Sequence, residues 1–364
     1  MTSDARPARV GIIGCGDVTN LYLPGTARFA NIELAACADL DPARAAALAE
    51  RGGFPAMPVE ALLADPSIEI ALVLTPPMAH AAISRAAIAA GKHVYSEKPL
   101  AVSRADAAAI LDDAGRGGVR VGAAPDTFLG GGLRTARDLI DEGAIGTPLA
   151  ATASVAHLGP ESWHPNPGIF YGIGGGPLLD VGPYYVTALV AMLGPIASVA
   201  AIGRGSGSER VVGSGPLAGQ TVAAEVPTTV LGTLGFESGV VGSLTASFDV
   251  VASEVPHFEI HGTAGSLILG DPNRFDGEVR YRALGAESWE TITPRFDTTV
   301  GRGVGLADMI DAIRSGRPHA ASGELAFHVL DVLLALEEAT VSGRTEAVAS
   351  RVQRPEPRPL ASAT

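Results

Sequence analysis

Lys98 stands between Glu97 and Pro99 at the end of a short run, His93-Val-Tyr-Ser96. A lysine at the ligand edge of a sheet, stiffened by a following proline, can hold a substrate hydroxyl. It can also stabilise developing alkoxide charge as a hydride leaves. Glu97 beside it can contact a ribose, and equally the two residues can be a solvated surface pair. A second group lies further on. Asp180 and Tyr184 are four residues apart and share one face if the segment is helical. Ahead of them, Gly174-Gly-Gly176 lets backbone pass close to a ligand.

A partner for this chemistry is written upstream, in Val10-Gly-Ile-Ile-Gly-Cys-Gly16. This apolar run turns on glycines, and Asp17 and Val18 lead from the turn into a helix. Gly14 allows the tight turn, Gly16 lets backbone approach a pyrophosphate, and the helix points N–H groups at the anion. Thr19 fills the third position of the fingerprint, where Gly or Ala gives closer packing. The next strand, Glu33–Ala38, ends at Asp39, 23 residues after Gly16. That is the place for a carboxylate that grips ribose hydroxyls. Such a carboxylate repels a 2′-phosphate. Leu40 supplies no offsetting cation, and Arg44 lies on the next helix, so the reading favours NAD over NADP. The third strand ends in Leu74-Thr75-Pro76-Pro77, a stiff loop that would lie against the cofactor. His80 follows and either bonds ribose or caps the next helix. The plain alternative to all of this is an αβ turn with no ligand.

The elements that must position these residues follow from the pattern. Between Val10 and Ala123, apolar strands at Val10–Ile13, Leu34–Ala38, Ile70–Leu74, His93–Tyr95 and Val119–Ala123 alternate with alanine-rich helical stretches. This predicts a parallel sheet covered on both faces. Helices are expected over Ala81–Ala90 and after the capping box at Ser103. After a helix at Leu133–Glu142 the strands run close together, which predicts a mainly antiparallel sheet. Val240–Val251 reads there as one long strand, and Arg204 to Gln220 as an exposed loop at an oligomer contact. Two apolar helical faces return near the end, and residues from 351 read as a loose tail. The division expected is 1–124, 125–350 and 351–364.

Composition narrows the function further. A net charge of −13 leaves no basic surplus for nonspecific nucleic-acid binding. No apolar run is long enough to span a bilayer, and no signal core opens the chain, so the expectation is a cytoplasmic protein without a membrane partner. Cys15 and Cys37 read as small buried residues rather than a disulfide or metal pair, and no metal is expected.

The motifs together resemble the Gfo/Idh/MocA oxidoreductases. The matching residues are Gly11-Ile-Ile-Gly-Cys-Gly16, Ala36-Cys-Ala-Asp39, Thr75-Pro-Pro-x-x-His80, Ala90-Gly-Lys-His-Val94 and Glu97-Lys-Pro-Leu100. Gly143-Ala-Ile-Gly146, Gly174-Gly-Gly176, Asp180-x-Gly182 and Gly262-Thr-x-Gly265 match as well. The resemblance implies an α/β protein with an N-terminal Rossmann domain, a doubly wound parallel sheet. It also implies a C-terminal α/β domain with a large, mainly antiparallel sheet. A bound nicotinamide cofactor, a homodimer or homotetramer, and a cis Lys98–Pro99 bond are implied too. The family's catalytic lysine falls on Lys98 and its aspartate on Asp180. Its histidine, commonly the proton acceptor, falls on Tyr184. An unperturbed phenol is a poor base at neutral pH, though a nearby ammonium favours phenolate. Three readings stay open: Tyr184 relays the proton beside Lys98, His164 serves as base, or Tyr184 only donates to substrate. Asp126-Thr-Phe-Leu-Gly130 departs from the family's Asn-x-Arg-Phe, and Asp126, Phe128, Trp163 and His164 are candidates for the substrate pocket.

The expected activity is NAD-dependent oxidation or reduction of a secondary alcohol of a sugar, sugar acid or cyclitol. The rivals are glycoside cleavage through transient oxidation and elimination, and a nucleotide-binding regulator without catalysis.

Overall fold

The computed structural model describes residues 6–164, 166–205 and 207–356. The chain divides into two compact units. The first runs to Leu129 and resumes over Thr299–Phe327; the second comprises Gly130–Thr298 and His328–Arg354. The chain thus comes back to its first unit late, in a segment that the linear reading had set in the second.

The first unit alternates strand and helix: β1 (Ala8–Ile13), α1 (Thr19–Thr26), β2 (Ile32–Ala38), α2 (Pro42–Gly52), α3 (Val59–Ala64), β3 (Ile70–Val73), α4 (Pro77–Ala89), β4 (His93–Ser96), α5 (Arg104–Gly117) and β5 (Val121–Ala123). The strands form a parallel five-stranded sheet in the order β2-β1-β3-β4-β5. Every residue of β3 is buried, as continuous apolar runs under helices on both faces require. Helix starts follow the local chemistry. Asp41 and Ser103 cap α2 and α5 through their side chains. α4 begins at Pro77, four residues before the expected start, because proline suits the first helical turn.

The second unit opens with α6 (Gly131–Asp141), β6 (Pro148–Ala156), α7 (Gly176–Asp180), α8 (Gly182–Leu193) and β7 (Ile196–Arg204). A short pair follows, β8 (Glu209–Val211) with β9 (Thr221–Ala223), and then β10 (Thr229–Phe236), β11 (Val241–Ser247), β12 (Phe258–Gly262), β13 (Gly265–Leu269), β14 (Val279–Ala283) and β15 (Glu290–Ile292). Helix α9 (Val304–Ser315) belongs to the first unit. Helix α10 (Gly323–Ser342) begins in the first unit and continues into the second, where β16 (Glu346–Ala347) follows. Nine strands make one sheet, β15-β14-β13-β12-β6-β11-β10-β7-β16. It is antiparallel apart from the β6–β11 pair.

Alternation sets the core face of this sheet. Val230, Leu234, Leu244, Ala246, Ile260 and Leu267 are buried, while Leu231 and Ile202, directly opposite each other, are exposed. Helix α8 is buried along its whole length. The turn Glu237-Ser-Gly239 joins β10 and β11 as a hairpin, with Gly239 at φ +87°. The expected strand Val240–Val251 stops at Ser247. The stretch expected to be an exposed loop after Arg204 contains β8, which pairs with β9. The expected loose tail is fastened as far as Arg354, which pairs with Asp141 at 2.8 Å. Among the described residues no helix is long and apolar enough to cross a membrane.

One carboxyl on α10 gives the fold a pH dependence. Burial, with Glu338 adjacent, pushes Glu337 up to about 7 from an ordinary 4.5. The folded protein therefore keeps a proton that the unfolded chain has already lost, and stability falls as pH rises from 4.5 to about 7. Glu337→Gln removes that slope. By thermal unfolding, the variant is expected to match the parent near pH 4.5 and exceed it at pH 8 by about 3 kcal/mol.

Candidate active site

The glycine turn meets the sheet where its order reverses, between β1 and β3, the point at which parallel sheets open for ligands. Gly14 has φ +99°, and a Cβ there would lie 2.6 Å from the Leu74 carbonyl carbon. Only glycine fits, because the turn after β1 runs against the end of β3. At Gly16 the situation reverses: a Cβ would meet nothing within 4 Å, so the backbone presents an open surface. No side chain caps the start of α1, which leaves its N-terminal end for an anion. Asp17 is exposed and Val18 half-buried beside this surface.

Asp39 closes the cradle. Its Oδ2 accepts the Cys15 N–H at 2.7 Å and its Oδ1 the Asp41 N–H at 2.8 Å. A carboxylate oxygen has a second lone pair, so the group is held in place with capacity left for hydroxyl donors. Arg44 lies 3.6 Å from Asp41 in an ion pair. Cys15 and Cys37 are free thiols, Cys37 within β2 and Cys15 in the turn. These residues fit a dinucleotide: a glycine surface for the pyrophosphate, an uncapped helix start, and a fixed carboxylate at the end of β2.

The loops after β3 and β4 are tied to each other through His80. The ring is buried, with Nδ1 2.6 Å from the Pro99 carbonyl oxygen and Nε2 2.7 Å from that of Thr75. Burial pulls its pKa down. His80 thus holds the loop that carries Lys98 against the loop that carries Thr75 and Pro76, and both of its nitrogens are engaged there. Thr75 is half-buried, and Pro76, the residue before α4, is exposed. Lys98 follows β4, is half-buried, and precedes a cis peptide bond to Pro99. Glu97 is turned inward: Oε1 accepts from the Tyr22 hydroxyl at 2.9 Å and Oε2 from the Lys98 N–H at 3.0 Å. The surface-pair reading of Glu97 and Lys98 does not describe this geometry. Beneath them, Asp126 and Phe128 are enclosed in the first unit rather than open to solvent. Asp126 Oδ2 accepts the N–H groups of Gly303 and Gly305 at 3.0 and 3.1 Å, and Arg302 lies 3.7 Å from Oδ1. Tyr22 and Arg302 carry no motif, and sequence reasoning missed both.

In the second unit, Asp180 ends α7 and Tyr184 lies in the first turn of α8. The segment is helical on both sides of Val181, where the two helices join. Gly176, at φ +72°, packs on the Val226 side chain, so its close approach is to the protein itself rather than to a ligand. Asp180 is half-buried and Tyr184 buried. His164 and Trp163 lie on the loop after β6. Trp163 is 63% exposed, so it is not a core aromatic.

Comparison with known proteins agrees with these two halves. Residues 8–124 match the model of the oxidoreductase family with an NAD-binding Rossmann fold. Residues 133–268 match the GFO/IDH/MocA C-terminal domain. The 1,5-anhydro-D-fructose reductase of Ensifer adhaerens is 30% identical over 349 residues, 92% of this chain and 97% of the relative. The D-xylose 1-dehydrogenase (NADP(+)) 2 of Haloferax volcanii is 26% identical, covering 92% of this chain and 97% of its own. Levoglucosan dehydrogenase in complex with NADH and levoglucosan superposes with a TM-score of 0.81 at 24% identity, over 94% of this chain and 100% of that one. The chain therefore belongs to the Gfo/Idh/MocA family of oxidoreductases, as its glycine turn, Glu-Lys-Pro segment and Asp-x-Gly turn foretold.

Proposed function

We propose that the protein interconverts a secondary alcohol of a sugar, sugar acid or cyclitol with the corresponding ketone, using NAD. The observation that carries this reading is the pairing of a fitted dinucleotide cradle with a half-buried lysine on the same sheet edge. Lys98 is held there by the bonds that Glu97 and His80 make on either side of it. Relatives named for anhydrofructose and xylose support the sugar class.

The bound nicotinamide supplies the hydride acceptor or donor. The chain's own residues do the rest. The Lys98 ammonium holds the reacting hydroxyl and stabilises negative charge on its oxygen. Asp180 orients the substrate. Tyr184 takes the proton of the reacting hydroxyl. Asp39 holds the adenosine ribose by its two hydroxyls. The nearest cation in sequence, Arg44, is engaged with Asp41, which supports NAD over NADP.

Incubation with NAD and a carbohydrate panel tests the reading. Reduced nicotinamide is expected to accumulate in step with ketone. Sugar cleavage without net reduced cofactor would favour the elimination reading, and NAD binding without turnover on any polyol would favour a regulator. Dissociation constants are expected to be at least about tenfold lower for NADH than for NADPH, since a 2′-phosphate must approach the Asp39 carboxylate; the reverse order would overturn the cofactor assignment. Assembly into a homodimer or homotetramer is supported by the exposed Ile202, Leu231 and Val241 on the outer face of the large sheet. Light scattering that returns a single chain's 36.9 kDa would remove that part.

A further inference from the structure

The loop between β6 and α7 brings three aromatic rings together. The His164 ring meets Trp163 edge-on, with centroids 5.4 Å apart at 81°, and Phe170 at 4.9 Å and 78°. Phe170 backs His164, while most of the indole stays in solvent. The imidazole is also fixed in tautomer. Its Nδ1 accepts the Asn166 N–H at 3.0 Å, so a neutral ring carries its proton on Nε2. The nitrogen that remains for a ligand is a donor, not a base.

The loop is braced from the β8–β9 arm. Gly213 N–H donates to the Glu161 carbonyl at 2.7 Å, and Glu225 N–H to that of Tyr171 at 2.8 Å. Arg210, on β8, reaches Glu161 at 3.5 Å and also pairs with Asp249. Its guanidinium lies 5.5 Å from the Tyr171 ring centroid, and the Tyr171 hydroxyl donates to Glu161. Asp249 in turn accepts from Thr228 and Thr229 at 2.8 and 2.6 Å. Tyr171, Ala224 and Phe248 form a buried cluster on which Val181 packs, next to Asp180. A partly exposed ion network of this kind adds little stability, and its part is to fix geometry. It holds still an exposed indole and a hydrogen-bond donor beside it.

We propose that Trp163 and His164 form a sugar subsite. The indole stacks on the C–H face of a closed pyranose ring, and His164 donates from Nε2 to one of its hydroxyls. Arg210 is the positioning residue that holds the loop. An amphipathic aromatic beside a placed donor suits a ligand with one apolar face and a polar rim. The inference rests on the sugar reading above, and it removes His164 from the candidates for proton acceptor.

The chain has two tryptophans, Trp163 and Trp289, so Trp289→Phe leaves Trp163 as the only indole. This variant, saturated with NAD, is titrated with methyl pyranosides of the gluco, manno, galacto and xylo series, and with open-chain sorbitol. A saturable change in emission is expected with at least one pyranoside, at least tenfold tighter than with sorbitol. Trp163→Ala is expected to raise KM at least tenfold with kcat within threefold. His164→Gln keeps an N–H donor, and is expected to leave the pH dependence of kcat in place. Arg210→Met is expected to raise KM in the same way as Trp163→Ala. Turnover of a pyranoside by the parent with no emission change overturns the subsite and leaves the dehydrogenase reading standing. Saturable emission without turnover does the opposite. An emission change that follows protein concentration alone makes this face a contact between copies and overturns the subsite. A shifted pH profile in His164→Gln restores His164 as base and overturns it too.

Discussion

Lys98→Met is expected to lower kcat by about a hundredfold to ten-thousandfold while leaving the NADH dissociation constant within about threefold. The split follows from where the two kinds of interaction sit. Affinity for the dinucleotide rests on the Gly14–Gly16 turn, the uncapped start of α1 and the Asp39 carboxylate, none of which the substitution touches. The ammonium acts on charge that grows on the substrate oxygen, and such an interaction counts mainly in the transition state. Methionine keeps the length and the apolar stem, so the half-buried side chain can be replaced without leaving a hole. Glu97 still holds the backbone N–H of residue 98, and His80 still holds the carbonyl of Pro99, so the loop keeps its course. Lys98→Arg is expected to restore only part of the rate, because a planar fork does not place its charge where an ammonium does. Stopped-flow turnover and a cofactor titration on the same preparation check both halves. A Lys98→Met enzyme with parental kcat would remove the lysine from the chemistry and the proposed function with it.

What the sequence disclosed depended on how local the signal was. The parallel sheet was legible because each strand is a short apolar run bounded by glycine, proline or an acid, and because Gly14 and Asp39 mark two strand ends by type. Strand β13 was not legible. It turns back after Gly262-Thr-Ala-Gly265, whose glycines read as motif rather than as the corner of a hairpin. The arm after Arg204 looked like loop by its Gly and Ser content, yet Arg210 reaches from it to Glu161 and Asp249, residues that no spacing connects. Near Asp126 the sequence departs from the family in lacking a local arginine. A guanidinium does stand beside that carboxylate, from Arg302, far along the chain. Local patterns announce backbone geometry; they do not announce which distant charge answers a buried one. His80 lies between the two cases: its position after the double proline marked it, but the carbonyls it joins belong to two loops that only the sheet order makes neighbours.

Arg302→Met is expected to destabilise the first unit by about 3–5 kcal/mol, because it strands a buried carboxylate. Asp126 is completely buried. Burial pushes its carboxyl above the ordinary range, while Arg302 and the N–H groups of Gly305 and Gly303 pull the other way. Glu97 adds repulsion, and the hydroxyls of Tyr22 and Tyr95 nearby are themselves driven toward the neutral form by burial. With the cation gone, the folded carboxyl rises further. An acid held protonated in the fold costs more stability as pH climbs above its unfolded value, since the unfolded chain releases the proton and the folded one does not. The deficit of Arg302→Met is therefore expected to be larger at pH 8 than at pH 5. Adding Asp126→Asn removes the stranded charge and keeps an acceptor for Gly303 and Gly305, so the double variant is expected to recover a large part of the loss at pH 8 and little at pH 5. Thermal unfolding of the two single variants, the double variant and the parent at both pH values makes the cycle. Equal deficits at the two pH values, with no recovery in the double variant, would mean that Arg302 serves by packing alone. The charge pairing under the lysine loop would then carry no weight in the fold.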